Sequence, residues 1–231
     1  MDETKKLEEE SDALEEVEEA LENEFEDEVE SQEKEAEVPY GRKLVSRDTF
    51  AFSIRDICEM AIFCAIAVVL DRFVRIGIND DGGSINIAML PLFIIALRQG
   101  WFKGFIAGAI IFGLATCMLD GWGFIWYPTD YFVGFGSVGI LGLLKPVITD
   151  KDYNVTWHSY AFSSVGILAA CIVRYIACTF SGMVIGGYPF VVSLAKNAAY
   201  VFPSFIAVLA LFLGLLINIL KAFRAHNTKS L

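Results

Sequence analysis

From Ile54 onward the chain alternates long apolar blocks with short polar breaks. A helix crossing a bilayer core takes about 20 largely apolar residues. The blocks predict six spans, at about 54–74, 84–98, 102–119, 128–147, 160–184 and 188–221. RQGWFK at 98–103 leaves the second and third as a tight hairpin. Ahead of the blocks, residues 7–30 place Leu14, Val17, Leu21, Phe25 and Val29 at spacings of 3, 4, 4 and 4. That spacing is one narrow stripe on a helix, and Asp12 with Glu15 suits a capping box at its start. Crowded glutamates repel at i,i+4, so the stretch reads as a solvated helix or disorder, or as a docking arm for a basic partner.

Charge divides the chain in the same place. Across 231 residues the net charge is −11 and 55% of residues are hydrophobic. Residues 1–38 carry 19 acids and 3 lysines, a net of −16, and the rest carries 10 acids and 15 bases, a net of +5. The fold class expected is therefore an all-α membrane protein, a six-transmembrane-helix bundle with an acidic, disordered or helical N-terminal tail. Its parts are the tail at 1–40, the bundle at 41–225 and a short C-terminal tail at 226–231. No secretory signal is expected in so acidic an N-terminus.

Basic residues orient membrane helices toward the cytoplasm. Arg42, Lys43, Arg47 and Arg55, then Arg98 and Lys103, then Lys145 and Lys151, then Lys221, Arg224 and Lys229 all fall on one side of six spans. Both termini are then cytoplasmic. Asn79, Asp80, Asp81, Asp120 and the turn Gly186–Pro189 lie outside, and Arg72 and Arg75 are exceptions to the bias. Tyr153, Trp157 and Tyr160 suit an inner aromatic belt. Trp122, Trp126 and Tyr127 suit an outer belt or a ligand site.

Small residues mark close helix contacts. Gly100, Gly104 and Gly108 form overlapping GxxxG units, and Gly134, Gly136, Gly139 and Gly142 line the fourth span. Ile57, Ala61 and Ala65 share one face of the first, suited to internal packing or to docking on another membrane protein. The five cysteines sit in apolar runs without CxxC spacing, so packing is expected rather than metal or disulfide chemistry. GSVG at 136–139 resembles a serine-nucleophile site, but His158 and His226 are both near or beyond cytoplasmic span ends, and a serine without a base is a weak nucleophile.

Ionisable groups at membrane depth face protein or water. Glu59, Asp71, Asp130, Arg174 and Lys196 are the candidates, with Glu59 one turn from Arg55 as a local pair. Asp130, Tyr131, Ser181, Lys196 and Asn197 all fall in outward halves of spans. Together they suit a small-molecule pocket, or an Asp130–Lys196 pair within polar helix glue.

Over roughly residues 54–217 the chain resembles the substrate-binding (S) components of energy-coupling factor (ECF) vitamin transporters, the thiamine-specific ones in particular. GGSINIAMLPLFIIALRQGWFKGFIAGAIIFGL is similar to that family's second and third helices. YPTDYFVGFGSVGILG, RYIACTFSG and SLAKNAAYVFPSFI resemble its fourth-, fifth- and sixth-helix signatures, and MAIFCAIAVVL its first helix. The resemblance implies a bacterial plasma-membrane subunit that captures a vitamin, thiamine or a relative. It implies docking through Ala61 and Ala65 on a transmembrane coupling subunit powered by two ATPase subunits. It implies no enzyme activity, no cofactor and no nucleic-acid partner; with no phosphate-loop motif in the chain, ATP hydrolysis falls to the partners. The acidic site residue corresponds to Asp130, its aromatic neighbour to Tyr131, the small fifth-helix residue to Gly182 and the sixth-helix amide to Asn197. The family's histidine, tryptophan and tyrosine positions hold Cys178, Gly186 and Val192, and Lys196 stands where an aromatic is usual. Trp126, Tyr127 or Tyr188 are the available substitutes. These departures leave open a precursor fragment, or an anionic ligand drawn by Lys196. A function from another class also stays open: a non-transporting membrane scaffold whose acidic tail is the active part. Within this reading GGS opens the second helix, and Pro91 is tolerated inside it because neighbouring helices re-satisfy the freed carbonyl.

Overall fold

A computed structural model describes residues 50–78, 83–149 and 155–227, with side chains to Phe223. The acidic tail, Arg42, Lys43, Arg47, Asp80, Asp81, Lys151, Tyr153 and Lys229, and the Arg224 and His226 side chains, lie outside the described residues. The fold is mostly helical. Among the described residues three helices are long and apolar enough to cross a membrane: Trp101–Asp120, Trp157–Val184 and Phe190–Phe223.

Helix α1 (Ile54–Phe73) starts at a capping box, in which Arg55 N donates to Ser53 Oγ at 3.3 Å and Ser53 N to Asp56 Oδ2 at 3.1 Å. Two of the unsatisfied first-turn donors are thereby met. After α1 the chain turns into a β-hairpin, β1 (Arg75–Gly77) against β2 (Ser84–Asn86), antiparallel with Ile76 opposite Ile85. Here the expected start of the second span is corrected. Ser84–Asn86 is extended chain, and helix α2 runs Met89–Gln99. The polar residues serve the hairpin: Asn86 N donates to Ser204 Oγ at 3.1 Å, and Asn86 Nδ2 to Asp71 Oδ1 at 2.9 Å. Pro91 then falls in the first turn of α2, where a backbone N–H has no intrahelical partner in any case. No freed carbonyl needs rescue.

At 11 residues, α2 is about 16 Å long. It is buried along nearly its whole length, from Met89 to Leu97, as expected of a helix apolar all round. Gly100, at φ 97°, makes the turn into α3 (Trp101–Asp120). A π-helical stretch, Ala107–Phe112, widens α3 in the middle. Helix α4 (residues 124–148) is the expected fourth span, but broken: a 3-10 turn Phe124–Trp126, a π-helical Tyr127–Val133, then short α segments to Ile148. Close backbone packing accompanies the breaks. A Cβ on Gly108 would stand 2.2 Å from the Phe135 carbonyl oxygen, and one on Gly142 would stand 2.5 Å from Trp101 N. The small residues therefore bring α3 and α4 together backbone to backbone.

Helix α5 (Trp157–Val184) and helix α6 (Phe190–Asn227) form a long hairpin through Gly187, whose φ is 69°. Gly182 lets them meet: its Cβ would lie 2.4 Å from Ser193 Oγ. Phe93, Phe112, Leu141 and Phe212 are fully enclosed between α2, α3, α4 and α6. All five cysteines are free thiols. Glu59 pairs with Arg98, at 2.6 and 2.7 Å, rather than with its helical neighbour Arg55, because its side chain points at the α2 C-terminus.

Candidate functional site

At one end of the bundle a cavity of ≈ 450 Å³ opens between the hairpin, the ends of α1 and α3, the start of α4 and the middle of α5. That volume lies within the range of small-molecule sites. Three carboxylates (Asp71, Asp120, Asp130) and three guanidiniums (Arg72, Arg75, Arg174) line it, with Tyr131, Phe135, Trp122 and Tyr200 as its aromatic surface.

Most of these charges are matched. Asp120 Oδ1 accepts from Arg72 at 2.8 Å and from Arg75 at 3.4 Å, while its Oδ2 accepts from the Tyr131 hydroxyl at 2.8 Å. One carboxylate thus fastens α1, the hairpin and α4 to the end of α3. Asp71 is buried, takes the Asn86 amide and lies 3.7 Å from Arg72. Charge-assisted contacts of this kind are the strong members of their class.

Asp130 differs. Its Oδ1 is buried and makes no hydrogen bond of normal geometry among the described residues, although the Ser181 hydroxyl and the Cys178 thiol stand within reach of the carboxylate, with Arg174 beside it. Arg174 packs its guanidinium 4.3 Å from the Phe135 ring, and its Nε is likewise buried without an acceptor. An unpaired acceptor and an unpaired donor buried at one cavity wall, floored by aromatic rings, suit a flat polar ligand with both hydrogen-bonding senses.

Of the residues expected from sequence, Asp130, Tyr131 and Cys178 line the cavity. Gly182 and Asn197 stand one layer behind. The Asn197 amide donates to Cys178 O at 3.3 Å and to Ser193 O at 2.8 Å, and its oxygen accepts from the Tyr200 hydroxyl. Asn197 therefore holds two cavity-lining residues in place. Lys196 stands 4.0 Å over the Tyr188 ring and is not among the cavity-lining residues. Arg174, not Lys196, is the cation whose charge acts on Asp130. Trp126 packs against the core, and Tyr127 stacks on Phe124 and donates to Ala109 O at 3.0 Å; neither lines the cavity. Ala61 and Ala65 are exposed on α1, beside Ile57, with no helix packed on them among the described residues.

Sequence reasoning passed over Asp120, Arg72, Arg75, Phe135 and Tyr200 as site residues. A signal existed for the two arginines, which break the charge bias of the loops. Asp120 carried no signal beyond lying at a span end.

The thiamine transporter protein family (Thia_YuaJ) matches residues 57–224. Thiamine transporter ThiT of Bacillus subtilis (strain 168) is 32% identical over 161 residues, 64% of this chain and 83% of that protein. A solved structure of ThiT from Listeria monocytogenes superposes with a TM-score of 0.57 over 73% of this chain and 94% of that one, at 20% identity, a likeness of fold. These relatives are thiamine transport proteins, not enzymes. The family match takes in every helix from α1 to α6, and the chain belongs to the thiamine transporter protein family.

Proposed function

We propose that this protein is the substrate-capture subunit of a vitamin uptake system and that its ligand is thiamine or a close relative. In this reading α1, α2 and the broken α4 complete a bundle of six membrane helices with the three long ones. The cavity opens outward and both termini lie in the cytoplasm. The observation that carries the reading is the cavity-lining carboxylate of Asp130, with one oxygen unpaired, beside an aromatic surface. Thiamine is a permanent cation with an aminopyrimidine. A carboxylate accepts from the exocyclic amine, and Tyr131, Phe135 and Trp122 offer π faces to the thiazolium. Arg174 offers a donor to a ring nitrogen or to the hydroxyethyl arm. Cys178, smaller than the histidine usual at its position, leaves more room beside Asp130.

Energy comes from elsewhere. The chain carries no phosphate-binding loop, so uptake draws on a transmembrane coupling subunit and two ATPase subunits, as in ECF systems. The exposed Ala61 and Ala65 supply a smooth face for the coupling subunit.

Titrating the purified protein with thiamine, while following tryptophan fluorescence, tests the ligand. Saturable quenching is expected, and Asp130→Asn should weaken it by about tenfold or more, the loss of one charge-assisted contact. The aminopyrimidine fragment and thiamine phosphate, titrated in parallel, identify which part of the molecule is read. If none of the three binds, capture of thiamine is refuted, and the scaffold reading built on the acidic tail takes its place.

A further inference from the structure

We propose that Asp56 and Glu59 of α1, with Lys103 and Arg98, form a cytoplasmic-end clasp whose task is to hold α1 at the angle that transport requires. They are positioning residues for coupling, not for ligand capture. The inference rests on the uptake role proposed above.

The argument begins with how weakly α1 is gripped by apolar packing. Its enclosed side chains are Met60, Cys64, Ala67 and Asp71, with Phe63 and Val68 half-buried beside them, so Met60 is the one large apolar group enclosed. Its other side, from Ile57 through Ile62 and Ile66 to Val69, is exposed. In a bilayer, lipid tails are as apolar as a neighbouring helix, so burial alone does little to fix such a helix. Packing shape and polar contacts must do so, and the strong polar contacts sit at its two ends.

The outer end is tied through Asp71 and Arg72 into the ligand cavity. The cytoplasmic end is tied independently. Arg98 grips Glu59 through both Nε and Nη2, at 2.6 and 2.7 Å, and Lys103 Nζ meets Asp56 Oδ2 at 2.8 Å. Gln99 Nε2 adds the Asp56 carbonyl and Glu59 Oε2, each at 3.2 Å. The cations are themselves held: Lys145 Nζ from α4 donates to Arg98 O at 2.6 Å, and Arg98 lies 5.3 Å over the Phe223 ring of α6. A bidentate pair fixes orientation as well as distance. Partly buried pairs add little net stability compared with apolar packing, and their best-attested use is to specify one arrangement. Ala61, the first small residue of the exposed face, is half a turn beyond Glu59. Asp71 is twelve residues, about 18 Å, away. The clasp therefore acts on the exposed face and leaves the ligand site alone.

The test uses the full chain together with its coupling subunit and ATPases. Asp56→Asn combined with Glu59→Gln should keep thiamine affinity and melting temperature near wild type while uptake falls about tenfold. Less coupling subunit should co-purify with the variant. Exchanging the charges, Glu59→Arg with Arg98→Glu, should restore most of the uptake, because an intramolecular pair tolerates inversion and a direct contact with the partner does not. Wild-type uptake in the Asn/Gln variant overturns the proposal. So does a parallel fall in melting temperature and thiamine affinity, which marks an ordinary structural pair. If wild-type protein binds no thiamine, the ligand assignment fails by itself, and the co-purified fraction still decides the clasp.

Discussion

Replacing Gly108 by alanine puts the α3–α4 contact to a quantitative test. The new Cβ would lie 2.2 Å from the Phe135 carbonyl oxygen and 2.9 Å from Val138 Cγ2. The first obstacle is backbone, so no rotamer change relieves it. Contacts below 3.0 Å are essentially unknown for a Cβ, and α4 must retreat by about 0.8 Å or more. Overpacking of this kind costs about 1–3 kcal/mol, and a backbone obstacle belongs in the upper half of that range. A melting temperature lower by about 5–10 °C follows for a chain of this size. The same movement reaches the cavity, since Tyr131 is one turn from Phe135. Its hydroxyl bond to Asp120, now 2.8 Å, stretches toward the limit of a real hydrogen bond, and thiamine affinity should fall with it. Gly214→Ala is the control, because a Cβ there meets nothing within 4 Å; it should be neutral or stabilise by up to about 1 kcal/mol. Thermal unfolding in detergent and fluorescence titration measure both effects. A Gly108→Ala protein that melts and binds like wild type would refute the claim that backbone contact between α3 and α4 sets the cavity wall.

Asp120→Asn keeps an acceptor for Tyr131 but removes the charge facing Arg72 and Arg75; thiamine binding should weaken by about tenfold, measured by calorimetric titration. Ala61→Leu and Ala65→Leu should leave affinity unchanged while uptake of labelled thiamine drops, and normal uptake in both would remove the docking role of that face. Saturating thiamine should slow modification of Cys178 by a small methanethiosulfonate reagent, followed by mass spectrometry, because the thiol lines the cavity.

The kinship with thiamine transporters was legible in sequence because its motifs are dense and ordered along the chain. The long helices were legible too, since α5 and α6 are apolar well beyond what a soluble core needs. The hairpin was not. Ser84-Ile85-Asn86 is only three residues long, and its partner strand, Arg75–Gly77, is equally short, so no local period marks it. Placing a helix there also misread Pro91 as an interior residue. Glu59 was matched to Arg55 because i,i+4 pairs are visible in a string of letters, whereas Arg98 is 39 positions away. Lys196 and Tyr127 fall in stretches beside the cavity, but the direction of a side chain depends on how its helix is rotated against its neighbours, which spacing does not determine; for Tyr127 the break in α4 adds to this.

That rotation has its own consequence. Each widened turn, Ala107–Phe112 and Tyr127–Val133, holds surplus backbone relative to a regular coil. A π bulge accommodates one extra residue, and one residue is worth about 100° of azimuth. Asp130 and Tyr131 sit inside such a bulge. Excising a single residue from Tyr127–Val133 would tighten the coil and swing the acid–aromatic pair away from its present bearing, with every other letter of the sequence intact.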